Sequence, residues 1–223
     1  MPLNDDKEIY FMAERMIDNL YPSMPWDELD AVVFDIGDVL VAMDENHVLE
    51  TFFPDPALRR TVQLHTTRSP YWNMWDGGVL TTDECIQAMA EGDPALIEPI
   101  RRFITGWPDM RYVVEEGRKA LLSCHRHQKK LYILSNYVSE NYERNVREYD
   151  FFSLFDGAVI SSRVRMLKPR LEIYRYLTDT YNLEPSRVLF IDDNAANIAA
   201  AFAAGWHGLC FNRPGRLKAF MGE

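Results

Sequence analysis

Five runs of four apolar residues, at 31–34, 131–134, 157–160, 188–191 and 208–211, constrain this chain more than any other feature. Each is too short for a buried helix, and none alternates with polar residues as a half-buried strand would. Continuous apolar runs of this length fit strands covered on both faces, which belong to parallel sheets. Helical patterns separate the later runs. One starts at Asp109 after Pro108 and spans 109–126, and another starts at Ser139 and spans 139–149. A third, 169–182, opens on Pro169, a favoured first helical position, and 194–204 stops at Gly205, a natural helix end. Alternating strands and helices predict an α/β fold with a parallel sheet and helices on both faces.

Residues 44–108 break the alternation. They read as short helices at 45–53, 55–66, 81–91 and 94–105, joined by turns such as Phe53-Pro54-Asp55-Pro56 and Asp76-Gly77-Gly78. The division expected is therefore a core of 31–43 and 109–223 with a helical insertion at 44–108. Ahead of it, residues 1–30 form an extension. There Ile9, Met12, Ala13, Met16, Ile17 and Leu20 share one helical face over 9–20, and Pro22 and Pro25 end it.

Composition narrows the function. A formal net charge of −10 argues against nucleic acid or an anionic membrane as the main partner. It leaves phosphate substrates open, because a bound cation can reverse the field inside one cleft. Cys85, Cys124 and Cys210 stand far apart without a C-x-x-C pair, which fits a reducing compartment better than a disulfide framework. The opening residues are acidic where a secretory signal is basic, and no apolar run approaches the ~20 residues that span a bilayer. A cytoplasmic protein, monomeric or homodimeric, is expected.

Ligands of open parallel sheets bind beyond the carboxyl ends of the strands. The polar residues found there are Asp35 after the first run, Ser135-Asn136 after the second and Asp192-Asp193 after the fourth. Lys168 precedes the helix leading into that fourth run. Carboxylates gathered this closely repel one another unless a hard cation neutralises them, and oxygen ligands suit Mg²⁺. The cation offsets phosphoryl charge, so a carboxylate can attack phosphorus.

Phe34-Asp35-Ile36-Gly37-Asp38-Val39-Leu40, Leu134-Ser135-Asn136, Lys168-Pro169 and Phe190-Ile191-Asp192-Asp193-Asn194 resemble the four ordered motifs of the haloacid dehalogenase superfamily. The likeness spans nearly all of residues 31–211. It is greatest to bacterial sugar-phosphate phosphatases of the α-glucose-1-phosphate type, which share the Lys168 to Tyr174 stretch and the Asp-Asp-Asn motif. The resemblance implies a Rossmann-like core with a helical cap inserted after the first strand, and hydrolysis of a small phosphorylated metabolite, with a sugar phosphate as one candidate. It implies Asp35 as nucleophile and Lys168 as its partner. Asp35, the Gly37 carbonyl, Asp193 and Asp192 would hold Mg²⁺, while Ser135, Asn136 and Gly37 would bind phosphate. Asn197 stands where several relatives carry a further aspartate.

One departure stands out. Most phosphatases of this superfamily place an acid-base aspartate two residues after the nucleophile, where this chain has Gly37 followed by Asp38. Asp38 is thus a catalytic candidate of altered position. If it does not substitute, substrates with good leaving groups, such as sugar 1-phosphates, are favoured. Dehalogenation of a 2-haloacid and a catalytically silent binding module are the alternative readings. His47 and one ring of Tyr71-Trp72-Asn73-Met74-Trp75 are candidate substrate contacts. His125, His127, Arg163, Arg165 and Arg170 read as solvated surface.

Overall fold

A computed structural model describes residues 26–221, so the helix expected at 9–20 lies outside the described residues. Five parallel strands form the central sheet: β1 (Ala31–Phe34), β4 (Lys130–Ser135), β5 (Gly157–Ile160), β6 (Val188–Asp192) and β7 (His207–Cys210). Their order is β5-β4-β1-β6-β7. All of β1 and β6 is buried, as continuous apolar runs require.

Successive strand residues face opposite sides of a sheet. Val32 and Phe34 enter one core with Leu121 and Cys124 of the helix Glu115–Arg126, while Ala31 and Val33 enter the other with Ile173, Leu177 and Ile198. From β1 the chain builds β4 and β5 to one side, then β6 and β7 to the other. The reversal leaves a crevice beyond the carboxyl end of β1, the usual ligand position in such sheets.

Between β2 (Val41–Met43) and β3 (Arg111–Val113) lie five helices: α1 (Glu45–Phe52), α2 (Pro56–His65), α3 (Pro70–Asp76), α4 (Thr82–Met89) and α5 (Pro94–Gly106). Each start carries an N-cap. Asp55, Ser69 and Asp93 accept main-chain N–H bonds directly before Pro56, Pro70 and Pro94, and Thr81 with Glu84 closes a capping box. These helices share an apolar core of their own, including Val48, Ile86, Ile100, Phe103 and Trp107.

Two sequence expectations need correction. Residues 109–126 are not one helix: a 3-10 turn (Trp107–Met110) leads into β3, and the helix α6 (Glu115–Arg126) starts afterwards. Arg111, Tyr112 and Val113 pair antiparallel with Met43, Ala42 and Val41. That partner is remote in sequence, so local periodicity cannot reveal it. Pro169 does not open its helix. It follows a cis peptide from Lys168, and the helix runs from Leu171 to Tyr181. The remaining helices are α7 (Ser139–Glu148), α8 (Ser161–Val164), α9 (Leu171–Tyr181), α10 (Ala195–Ala203) and α11 (Arg216–Met221). Among the described residues, no helix is long and apolar enough to cross a membrane.

Gly117 of α6 shows how tightly the loop after β1 is seated. A Cβ there would lie 1.7 Å from the carbonyl oxygen of Val39. Backbone meets backbone at this point, so no side chain can yield. Gly117→Ala is expected to destabilise the fold by about 3 kcal/mol, the upper end of ordinary overpacking, as read from the urea midpoint. An unchanged midpoint would contradict this packing.

Candidate active site

The register of the sheet delivers the first two acids. Phe34 pairs with Ile191, so the next residues, Asp35 and Asp192, stand side by side, and the Asp35 N–H donates to the Ile191 carbonyl at 2.9 Å. Asp193 follows at the start of the next loop. One carboxylate oxygen from each of Asp35, Asp192 and Asp193 lies within 4.8 Å of the others.

Lys168 ties this group together. Its ammonium is 2.9 Å from Asp35 Oδ1 and 2.6 Å from Asp192 Oδ2, and its side chain is only 1% exposed. Burial opposes the lysine charge, but Asp192 and Asp35 outweigh it and hold the group above its usual range. Asn136, at the end of the β4 motif, braces the lysine. Its Nδ2 donates to the Lys168 carbonyl at 3.0 Å, and its Oδ1 accepts from the Lys168 N–H at 2.8 Å. The Asn136 side chain, expected on phosphate, is therefore engaged with the Lys168 main chain in the structure.

The three acids differ. Asp192 is fully buried, and its oxygens accept from Lys168, from Asn197 Nδ2 at 3.0 Å each and from the Asn194 N–H at 2.8 Å. Asp193 is half-buried, and burial with the neighbouring Asp192 and Asp38 charges pushes it up to about 6. Asp35 is raised by burial and by Asp192 and Asp193, against the pull of Lys168 and a hydrogen bond with Ser135. Ser135 is 1% exposed at the end of β4. Carboxylates this crowded are where a cation would sit. All the donors are oxygens, which fits a hard ion.

The loop after Asp35 turns sharply. Asp38 adopts a left-handed backbone with φ of 53° and is exposed. Gly37 needs no glycine, because a Cβ there would meet nothing within 4 Å. The position two residues after Asp35 is thus open space facing the crevice, without an acid to fill it. Gly37 and Asp38 border a cavity of about 240 Å³, whose wall combines apolar Met43, Trp72 and Val138 with polar Arg111, Tyr137 and Asn141.

Of the remaining candidates, Trp72 does line this cavity, whereas Trp75 is buried in the core of the inserted helices. His47 is exposed on α1 and is absent from the cavity wall. His127 stacks on Trp26 at 3.8 Å, and Arg163 pairs with Glu143 at 3.0 Å, so both serve the surface. Sequence reasoning missed Asp76, which also lines the cavity. Its only sequence signal was the Asp76-Gly77-Gly78 turn.

The model of the haloacid dehalogenase-like hydrolase family matches residues 29–205. The chain is 26% identical over 195 residues to a drimenol cyclase of Aspergillus calidoustus, a match covering 84% of this chain but only 35% of that protein. It is 26% identical over 185 residues to a sesquiterpene phosphatase of Aspergillus oryzae, covering 80% of this chain and 88% of the relative. The fold is shared with an enzyme of Bacteroides thetaiotaomicron, solved with magnesium and inorganic phosphate. The TM-score is 0.64 and the identity 21%, over 82% of this chain and 93% of that one. Dehalogenases also occur among solved structures of this fold. The ordered motifs, the register that joins Asp35 to Asp192 and the family match agree: this chain belongs to the haloacid dehalogenase-like hydrolases.

Proposed function

We propose that the chain is a magnesium-dependent phosphatase that hydrolyses a phosphomonoester through an aspartyl-phosphate on Asp35. One observation carries the reading: Asp35, Asp192 and Asp193 bring three carboxylates within 4.8 Å of one another around the Lys168 ammonium. That excess of negative charge is tolerable with a divalent cation and hostile to a phosphate without one. Asp35, Asp193 and the Gly37 carbonyl would hold Mg²⁺, with Asp192 behind them as the clamp on Lys168. When bound, the ion supplies the positive charge that offsets the phosphoryl oxygens.

The chain's own groups do the rest. Lys168 holds Asp35 Oδ1 and fixes which oxygen is free to attack. Ser135, beside Asp35, receives a phosphoryl oxygen. The bond from Asp35 to phosphorus forms as the ester bond breaks, and water then releases phosphate and restores the carboxylate. Residues 44–108 act as the cap that closes the cavity over this point and excludes bulk water.

The leaving group best supported is an alcohol with an apolar body. Val41, Met43, Trp72 and Val138 give the cavity an apolar side, and the similarity to a sesquiterpene phosphatase agrees with an isoprenoid-like alcohol there, while Arg111, Tyr137 and Asn141 line its polar side. A dehalogenase would use the same nucleophile on carbon, with no phosphoryl charge to offset, so the crowded acids favour the phosphatase.

Phosphate release from p-nitrophenyl phosphate is expected with magnesium. It should vanish on chelation with EDTA and return when magnesium is restored. Turnover that survives chelation would contradict the metal site. Among alkyl phosphates, kcat/KM should rise roughly tenfold for every two methylene groups buried, until the cavity is full.

A further inference from the structure

The open position at Gly37 leaves a phosphatase of this kind without its acid on the nucleophile loop. Asp76 is the last residue of α3, and it lines the same cavity as Gly37 and Asp38, across from the Asp35 loop. Its carboxyl is near enough to Asp35 and Lys168 for both charges to act on it.

Asp76 is held there by unusual constraints. Ser161, directly after β5, donates its hydroxyl to the Asp76 main-chain carbonyl while accepting the Tyr137 N–H at 2.9 Å. The following turn is pressed onto the core. Gly78 has φ of 66°, and a Cβ there would stand 2.3 Å from the Ser162 carbonyl oxygen. A Cβ on Gly77 would lie 3.2 Å from the Leu167 side chain, next to Lys168. At Gly78 only glycine allows this close approach, and the approach sets a carboxyl over the crevice. An ordinary surface turn needs none of these contacts.

We propose that Asp76 is the general acid and base of this enzyme, supplied by the cap in place of the missing residue on the nucleophile loop. This deepens the phosphatase reading and rests on it. In the first step the Asp76 carboxyl gives its proton to the ester oxygen as that oxygen leaves phosphorus, and the new phosphorus bond forms to Asp35. In the second, the Asp76 carboxylate takes a proton from the water that attacks phosphorus. The bond to Asp35 then breaks, and both aspartates return to their starting states.

The surroundings suit the task. Burial pushes Asp76 up to about 8; Asp35 adds to this, while Trp72 and Lys168 pull the other way. The titratable groups acting on it or acted on by it are Asp35 and Lys168 from the core, Tyr137 after β4 and Cys85 of α4, whose own ionisation Asp76 disfavours, and Asp38 and Arg111 line the same cavity. The carboxyl is thus protonated at neutral pH, as a donor must be. Asp38 is also raised by burial, but it is exposed and sits on the strained turn of the nucleophile loop, not across the cavity from it.

The test compares Asp76→Asn with the unaltered chain on two substrates, with magnesium present. Hexyl phosphate has a poor leaving group and p-nitrophenyl phosphate a good one. The expected result is a kcat loss of about 10²–10⁴-fold on hexyl phosphate. Single-turnover release of p-nitrophenolate should stay within a few-fold, with the phosphorylated protein then accumulating. The alkaline fall in hexyl phosphate turnover above about pH 8 should be absent from the variant. Asp76→Glu should recover part of the loss. Equal losses in single-turnover release of the two leaving groups, no loss on hexyl phosphate, or the same selective loss in Asp38→Asn instead would overturn the assignment. An unaltered chain inert toward both substrates would defeat the phosphatase reading itself, a separate and recognisable outcome.

Discussion

Asp35→Asn is expected to lower phosphate release by about 10⁴-fold or more while leaving the fold intact. The amide keeps the shape of the carboxylate and an oxygen for the Ile36 N–H, which donates to Asp35 Oδ1 at 2.7 Å. It cannot form a bond to phosphorus. Stability should not suffer. Asp35 is raised above its ordinary value by burial and by two neighbouring acids, so its ionised form costs folding energy at neutral pH. Removing that charge relieves the cost. Phosphate release and the urea midpoint, measured on the same preparation, separate the two effects. A variant that loses activity only because it unfolds would contradict this account, and retained activity would revive a binding role for the chain.

Lys168→Met, by contrast, should damage both activity and stability. The lysine is the shared partner of Asp35 and Asp192, and Asp192 is 0% exposed. Removing one partner from a buried ion group costs about 3–5 kcal/mol, because the other charges remain without compensation. Methionine fills the space, so the loss reports charge and not volume. The pH dependence has a definite sign. Lys168 is held above its usual range, so the lysine itself stays charged at neutral and acid pH and loses its charge only in strong alkali; any change below pH 8 comes from the acids around it. In the variant Asp35 loses the pull that lowers it and takes up a proton more readily. The stability gap between variant and parent should therefore narrow as pH falls from 8 towards 5. A gap of constant size would mean that the lysine contributes packing alone.

Much of the catalytic half was legible in the sequence because its signals are local. A strand buried on both faces reads as an unbroken apolar run, and its carboxyl end is the next polar residue. Asp35, Ser135 and Asp192-Asp193 followed from that rule, and the register then set Asp35 beside Asp192. What was not legible depends on partners far along the chain. β3 is three residues that make sense only against β2, so Arg111–Val113 passed for the start of a helix. The helix Pro70–Asp76 had its signal in Ser69-Pro70, but its aromatic residues obscured the helical period. The unequal positions of Asp192 and Asp193 could not be read from two adjacent letters. One is sealed by Lys168, Asn194 and Asn197, while the other is half-open. Asp76 was hidden for the same reason. Its place at the crevice exists only when the inserted helices fold back onto Ser161 and Ser162.

The central claim is that Asp35 becomes covalently phosphorylated. Acid quenching of the enzyme during turnover of p-nitrophenyl phosphate with magnesium, in ¹⁸O-water, tests it most directly. Peptide mass spectrometry should find one phosphoryl group on the peptide containing Asp35, removable by hydroxylamine, with no ¹⁸O entering the aspartate after turnover. An unphosphorylated peptide, together with halide release from a 2-haloacid and ¹⁸O in the Asp35 carboxylate, would contradict the phosphatase and establish attack on carbon.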